Sequence, residues 1–230
     1  MYTNAPDGLG SARTELVRHG NRLLADGLSI GSAGNLSVRV GDVVAITPSG
    51  IAYPLMRAAD ICLVTLKGEQ LADREATRGT PSSETPMHLA IYAATGAAAV
   101  VHTHSREVIA LSAARRELPA IHYAITALGG PVRVAPYARF GSAQLADAAV
   151  AALDGRSAVI LRNHGAVTYG DSLAQAYDRA LLLEWLARTY RLGLAYGEPA
   201  VLSAAELDEV ATESRRRRYG TRATRTGPRS

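Results

Sequence analysis

The chain has 230 residues, 47% of them apolar and 20% charged, with a formal net charge of +4, which suits a soluble globular protein of one large domain or two small ones. The charge is deceptive: seven arginines fall in the last 16 residues, and the rest of the chain carries 18 basic against 21 acidic side chains. A nucleic-acid partner would therefore rest on the tail alone and is not expected. One cysteine, Cys62, excludes a disulfide framework and makes a reducing cytoplasm the default. Met1–Gly10 has no basic segment followed by an apolar one, so no secretory signal is read there.

In chain order, Leu16, Val17, Leu23 and Leu24 recur at helical spacing and predict a helix over Thr14–Gly27. Asn35–Val40 and Val43–Thr47 flank Gly41-Asp42 and predict a hairpin, followed by a strand over Ile61–Leu66. Ser83 is the expected N-cap of a helix running to Tyr92. Ala98–His104 reads as a strand, Ser105–Arg116 as a helix and Val132–Ala135 as a short strand. Ser142 caps a helix ending at Leu153. Two strands, Ser157–Arg162 and Ala166–Tyr169, are joined through Asn163-His-Gly165. Helices over Ser172–Leu194 and Ala204–Arg218 complete the chain. Short turns between several strands favour a layered α/β domain with an antiparallel or mixed sheet over a doubly wound parallel one. Thr85–Ser105 lacks any charged residue, but Pro86, Gly96 and three histidines interrupt it, so it reads as buried helix plus strand and not a membrane span.

Three groups of residues carry chemistry. His102 and His104 stand two apart on a predicted strand, so both imidazoles share a face. His164, at a turn, would complete a three-nitrogen set suited to Zn²⁺ with one open position. Taken alone, His-x-His also occurs among ordinary core and surface residues, and Asn-His-Gly is a common turn. Glu84 sits at a helix start, where an acid opposes the dipole or, beside a metal, acts as general acid/base. His88, four residues on, shares its helical face and either orients Glu84 or packs. The run Gly31–Ser37 with Ser32 and Gly34, the run Thr47-Pro-Ser-Gly50, and Ser82-Ser83 present hydroxyls and backbone N–H groups at element ends. Such places serve as plain turns or, converging, as an anion site without Lys or Arg. No Gly-x-Gly-x-x-Gly follows a strand and no Walker A sequence is present, so nucleotide binding has no support.

The order Gly-Asn-x-Ser, Thr-Pro-Ser-Gly, Ser-Ser-Glu…His, His-x-His, Asn-His-Gly, from Ser32 to Gly165, resembles the class II aldolase/adducin family. Ile121-His-Tyr-Ala, Ala135-Pro-Tyr-Ala-Arg-Phe-Gly141 and Tyr219-Gly-Thr-Arg222 extend the likeness, most closely to members acting on L-fuculose 1-phosphate. The resemblance implies a three-layer α/β/α sandwich around a mostly antiparallel sheet. It covers one expected domain over residues 1–214, from whose usual short ending in the family the basic tail over 215–230 departs. It implies a homotetramer with active sites between subunits, and zinc held by His102, His104 and His164. Glu84 would be the acid/base. Ser32, Gly34, Asn35, Thr47, Ser49, Gly50, Ser82 and Ser83 would bind the substrate phosphate. Tyr123 would come from a neighbouring subunit, and Tyr219 from the tail. The implied reaction is reversible cleavage of a ketose 1-phosphate, L-fuculose 1-phosphate or a close analogue, to dihydroxyacetone phosphate and a short aldehyde. Related ribulose-phosphate 4-epimerases carry Asp where Glu84 stands and a further Asp in the region matching Ile121–Gly130. This chain has no Asp between Arg106 and Ala146. Methylthioribulose-phosphate dehydratases share the Glu and remain an alternative. Adducin-type binding modules lack the histidine set.

Overall fold

A computed structural model describes residues 8–72 and 79–217. The elements are α1 (Leu9–Ala25), β1 (Asn35–Val40), β2 (Val43–Ile46), β3 (Cys62–Thr65), α2 (Thr85–Thr95), β4 (Ala99–Thr103), α3 (Arg106–Ala114), β5 (Glu117–Leu118), β6 (Val132–Ala135), α4 (Ala143–Leu153), β7 (Ala158–Leu161), β8 (Gly165–Gly170), α5 (Leu173–Leu194) and α6 (Ala204–Arg216). Short 3₁₀ turns occupy Tyr53–Leu55, Ala58–Asp60 and Tyr123–Leu128. The strands form one sheet in the order β3-β2-β1-β4-β8-β7-β6-β5. All its pairs are antiparallel except β6–β7, whose connection runs through α4. Parallel neighbours need such a crossover, whereas Gly41, with φ at 60°, turns β1 into β2 in two residues.

Alternation along the strands builds both sides of a three-layer α/β/α sandwich. Val44, Ile46, Val100, Val159 and Val167 bury against α2 and α4. Val43, Ala45, Ala99 and Val101 face α1 and α5 on the other side, and Ala158, Ile160 and Ala166 meet α5 and α6 there. Each fully buried Val or Ile contributes about 1.5–3 kcal/mol relative to exposure. The uncharged segment divides into α2 and β4 at Gly96, which takes a left-handed φ of 68°. Among the described residues no helix is long and apolar enough to cross a membrane.

Two expectations need correction. The first helix begins at Leu9 instead of Thr14, carried by Leu9 and Ala12 buried on the sheet. The N-cap of α2 is Glu84, not Ser83: Pro86 falls in the first turn, and Ser82 supplies the local partner by accepting from Glu84 N–H at 3.2 Å. Ser105 precedes α3 without a side-chain cap bond. β5 has only two residues, too few for any alternation to show. At the other end of the chain, Ser203 and Glu206 cap α6 reciprocally, and Arg216 and Arg217 pair with Glu213 on its last turn.

Candidate active site

β4 lies in the middle of the sheet, between β1 and β8, and His102 sits on it opposite Asn35 and Val167. Its ring is fully buried on the α2 face. Nδ1–H donates to Ala166 O at 2.9 Å, which leaves the lone pair on Nε2. That Nε2 lies 2.9 Å from His104 Nε2 and 2.8 Å from Glu84 Oε2. His104 is one residue past the strand, tied down by its own N–H to Leu28 O at 3.0 Å. His164 rides the turn from β7 to β8. There Asn163 takes a left-handed φ of 54°, and Gly165 passes so near β4 that a Cβ would meet Thr103 O at 2.0 Å. The turn therefore requires glycine at 165. The three rings stand edge to face with centroids 4.8–4.9 Å apart.

Glu84 enters from the start of α2. Its Oε2 also accepts from Asn35 Nδ2 at 3.1 Å. Its Oε1 is buried, has no hydrogen-bond partner among the described residues, and lies 3.4 Å from His164 Nε2. Burial would raise this carboxyl; His102 foremost, then His164 and Asn35, outweigh it and hold it well below the usual carboxylate range. Burial, reinforced by neighbouring His102, lowers His104 to about 3 and His164 to about 4. Three imidazoles, two of them with lowered pKa, beside an ionised carboxylate with an orphaned oxygen, all ligand atoms within 4.8 Å, fit a divalent cation.

A cavity of about 370 Å³ opens beside the cluster. Ser32, Gly34, Asn35, Ser49, Gly50, Ser82 and Ser83 line it together with Glu84, His104 and His164, so three loops distant in sequence converge. No lysine or arginine appears among its described lining residues, so an anion there would be met by hydroxyls and N–H groups. Gly34, with φ at 76°, brings its loop within 2.7 Å (for a Cβ) of His102 O, and Tyr53 O–H donates to Gly34 O at 2.7 Å. Ser49 Oγ accepts from Ser83 N–H and donates to Pro81 O, both at 3.2 Å, which joins two of the loops. Thr47 stands behind this wall, where its hydroxyl accepts from Leu36 N–H at 3.1 Å.

Tyr123 does not line its own chain's cavity: it is 55% exposed and stacks on His122. Tyr219 lies outside the described residues. Tyr137, Ala138, Phe140 and Asn163, which have no expected role in the sequence, also line the cavity. The signal was present in Ala135–Gly141. Gly141 adopts a left-handed φ of 69° and packs where a Cβ would meet Ser83 O at 2.8 Å, carrying that loop to the serines.

Residues 14–191 match the family Class II Aldolase and Adducin N-terminal domain. A 5-deoxy-D-ribulose 1-phosphate aldolase of Bacillus thuringiensis is 36% identical over 206 residues, covering 88% of this chain and 95% of that protein. A 5-methylthioribulose-1-phosphate/5-deoxyribulose-1-phosphate aldolase of Rhodospirillum rubrum is 39% identical over 201 residues, 84% of this chain and 89% of the relative. Among solved structures, an L-fuculose 1-phosphate aldolase superposes with a TM-score of 0.84 at 35% identity, covering 89% of this chain and 96% of the other.

Proposed function

We propose that this chain, which belongs to the class II aldolase and adducin family and is a metal-dependent lyase, cleaves a ketose 1-phosphate reversibly to dihydroxyacetone phosphate and a short aldehyde. The observation that carries this reading is the junction of three imidazoles and Glu84 with a cavity walled by serine and glycine loops. A substrate tail ending in a methyl group, as in 5-deoxyribulose or L-fuculose 1-phosphate, fits best. The named relatives support it, and so do the apolar rings of Tyr137 and Phe140 beside the cavity.

In this reading His102, His104 and His164 hold zinc. When bound, the cation supplies a Lewis acid for the negative charge that gathers on the ketone side as a carbon–carbon bond opens. Ser32, Ser49, Ser82, Ser83, the Asn35 amide and backbone N–H groups near Gly34 and Gly50 anchor the phosphate, with Thr47 bracing the loop behind. Anchoring brings C3 against Glu84. In cleavage the C4 hydroxyl proton passes by way of Tyr123 of a neighbouring copy to solvent as the C3–C4 bond breaks, the bonding electrons move toward the ketone and the aldehyde departs; Glu84, having taken up a proton from solvent, delivers it to C3. In addition the ionised Glu84 takes that proton back. Tyr123 of a neighbouring copy serves the C4 oxygen, and Tyr219 closes over the aldehyde end. Exposure of Tyr123 at 55%, Tyr137 at 67% and Phe140 at 59% supports assembly of copies around each cavity; a tetramer is the number of copies the family resemblance implies. The domain spans residues 1–214 with a basic tail beyond, in a cytoplasmic enzyme.

The test incubates zinc-loaded protein with a panel of ketose 1-phosphates and reads triose phosphate through a coupled dehydrogenase. Triose phosphate from 5-deoxyribulose or L-fuculose 1-phosphate is expected. None from any member, with epimerised pentulose phosphate instead, would replace this reading with epimerisation.

A further inference from the structure

Behind Glu84 a file of polar groups runs into the closed interior between β1 and α2. Asn35 Nδ2 donates to Glu84 Oε2 at 3.1 Å, and Asn35 Oδ1 lies 2.6 Å from His88 Nε2. His88 Nδ1 lies 2.7 Å from Ser37 Oγ, and that Oγ is 2.7 Å from Tyr92 OH. His88 and Ser37 are wholly buried, and Tyr92 and Asn35 nearly so. These groups belong to two adjoining elements: Asn35 and Ser37 are alternate residues of β1, and His88 and Tyr92 are one turn apart on α2.

Donor and acceptor chemistry orders the file without ambiguity. An amide oxygen only accepts, so Nε2 of His88 carries the hydrogen. With a neutral ring, Nδ1 then accepts, and the Ser37 hydroxyl spends its one proton on it. Ser37 must therefore accept from Tyr92 O–H. The direction is Tyr92 to Ser37 to His88 to Asn35 to Glu84. Reversal would present the Asn35 carbonyl oxygen to the Glu84 carboxylate, oxygen against anionic oxygen. Asn35 also lines the cavity, so the residue adjoins both places where negative charge is expected, and its NH₂ keeps a second hydrogen beyond the one given to Glu84.

We propose that His88 is a positioning residue that acts through Asn35. Its Nε2–H captures the amide oxygen and commits the NH₂ end of Asn35 to Glu84 and to the substrate phosphate, while Ser37 and Tyr92 select the tautomer that makes this possible. The proposal deepens the aldolase reading and rests on the roles given there to Asn35 and Glu84. His88 itself touches neither substrate nor metal.

The test uses the full-length, zinc-loaded enzyme. Nitrogen-15 NMR of labelled histidine, with His88→Gln to assign the signal, is expected to show a neutral ring protonated at Nε2; an Nδ1–H tautomer or an imidazolium overturns the proposal whatever the reaction proves to be. In parallel, His88→Leu is expected to keep its zinc and lose turnover on the order of 10²-fold, with weaker binding of inorganic phosphate. His88→Gln can offer N–H to Asn35 and oxygen to Ser37, and is expected to recover most of both. Wild-type turnover and phosphate affinity in His88→Leu, or a His88→Gln that folds, holds zinc and yet performs no better than His88→Leu, overturns the proposal. If His88→Leu does not fold, the tautomer and His88→Gln against wild type decide. Absence of triose phosphate from wild type would sink the aldolase reading alone, because the NMR and phosphate measurements need no turnover.

Discussion

At one end of the cavity three imidazoles and Glu84 gather around the middle of the sheet; at the other, serines and glycines meet on three loops. The first end is built from β4, the β7–β8 turn, the start of α2 and, through Asn35, β1. Its rings touch and its carboxylate is buried. The second end is exposed in part and cross-linked by Ser49 between the loops at Pro48–Gly50 and Pro81–Ser83. A small cation needs a few lone pairs at one point, so each donor counts heavily. A phosphate spreads its charge over several oxygens and accepts many weak donors, so each counts little.

That contrast sets an order of expected effects. His104→Ala should lose both metal and activity; full metal content by elemental analysis would break the assignment of the cation end. Glu84→Gln should retain metal while turnover falls by roughly 10²-fold or more, since a positioned acid/base contributes about 10²–10⁴. Near-normal kcat would remove Glu84 from the chemistry.

The buried end should also show itself in stability against pH. Burial lowers His88 to about 3, His104 to about 3 and His164 to about 4, against 6.5 for an ordinary imidazole. The unfolded chain therefore takes up protons first as pH falls. The contribution to stability is whole above about 6.5 and drains away as pH falls toward about 3. The urea midpoint of metal-free protein should fall across that window, and less steeply in His88→Gln. A flat profile would contradict the burial. The smallest effect belongs to the loops. Ser49→Ala should raise KM for the sugar phosphate about 3- to 10-fold with kcat nearly unchanged, the scale of one neutral hydrogen bond. A collapse of kcat would show that this end is as unforgiving as the other.

Much of the cation end was legible in the sequence because strand alternation is a local rule. His102 and His104 two apart needed only a strand between Gly96 and Ser105. The strand and helix order was legible for the same reason, since periodicity reports burial over a few residues. What failed to show was long-range. Asn35 and Glu84 touch across 49 positions, and nothing local in β1 says that β4 and not some other strand will lie beside it. His88 was read as sharing a face with Glu84, yet it works through a residue on a different element. Tyr137 and Phe140 stood in plain view in a noticed motif. Their part in the cavity depends on Gly141 folding against Ser83, a contact between segments more than 50 residues apart.

The position of β4 also bears on how the protein comes into being. Its first partner, β1, is made before it, but its second, β8, is made some 60 residues afterwards, and α5, which packs over the same strand, comes later still. A ribosome thus releases an uncharged segment long before its cover exists. Such non-local closure is slow and leaves sticky surface open meanwhile. Assembly of the histidine cluster accordingly waits for His164, and a nascent chain stopped short of the β7–β8 turn lacks both that ring and β8, the second partner of β4.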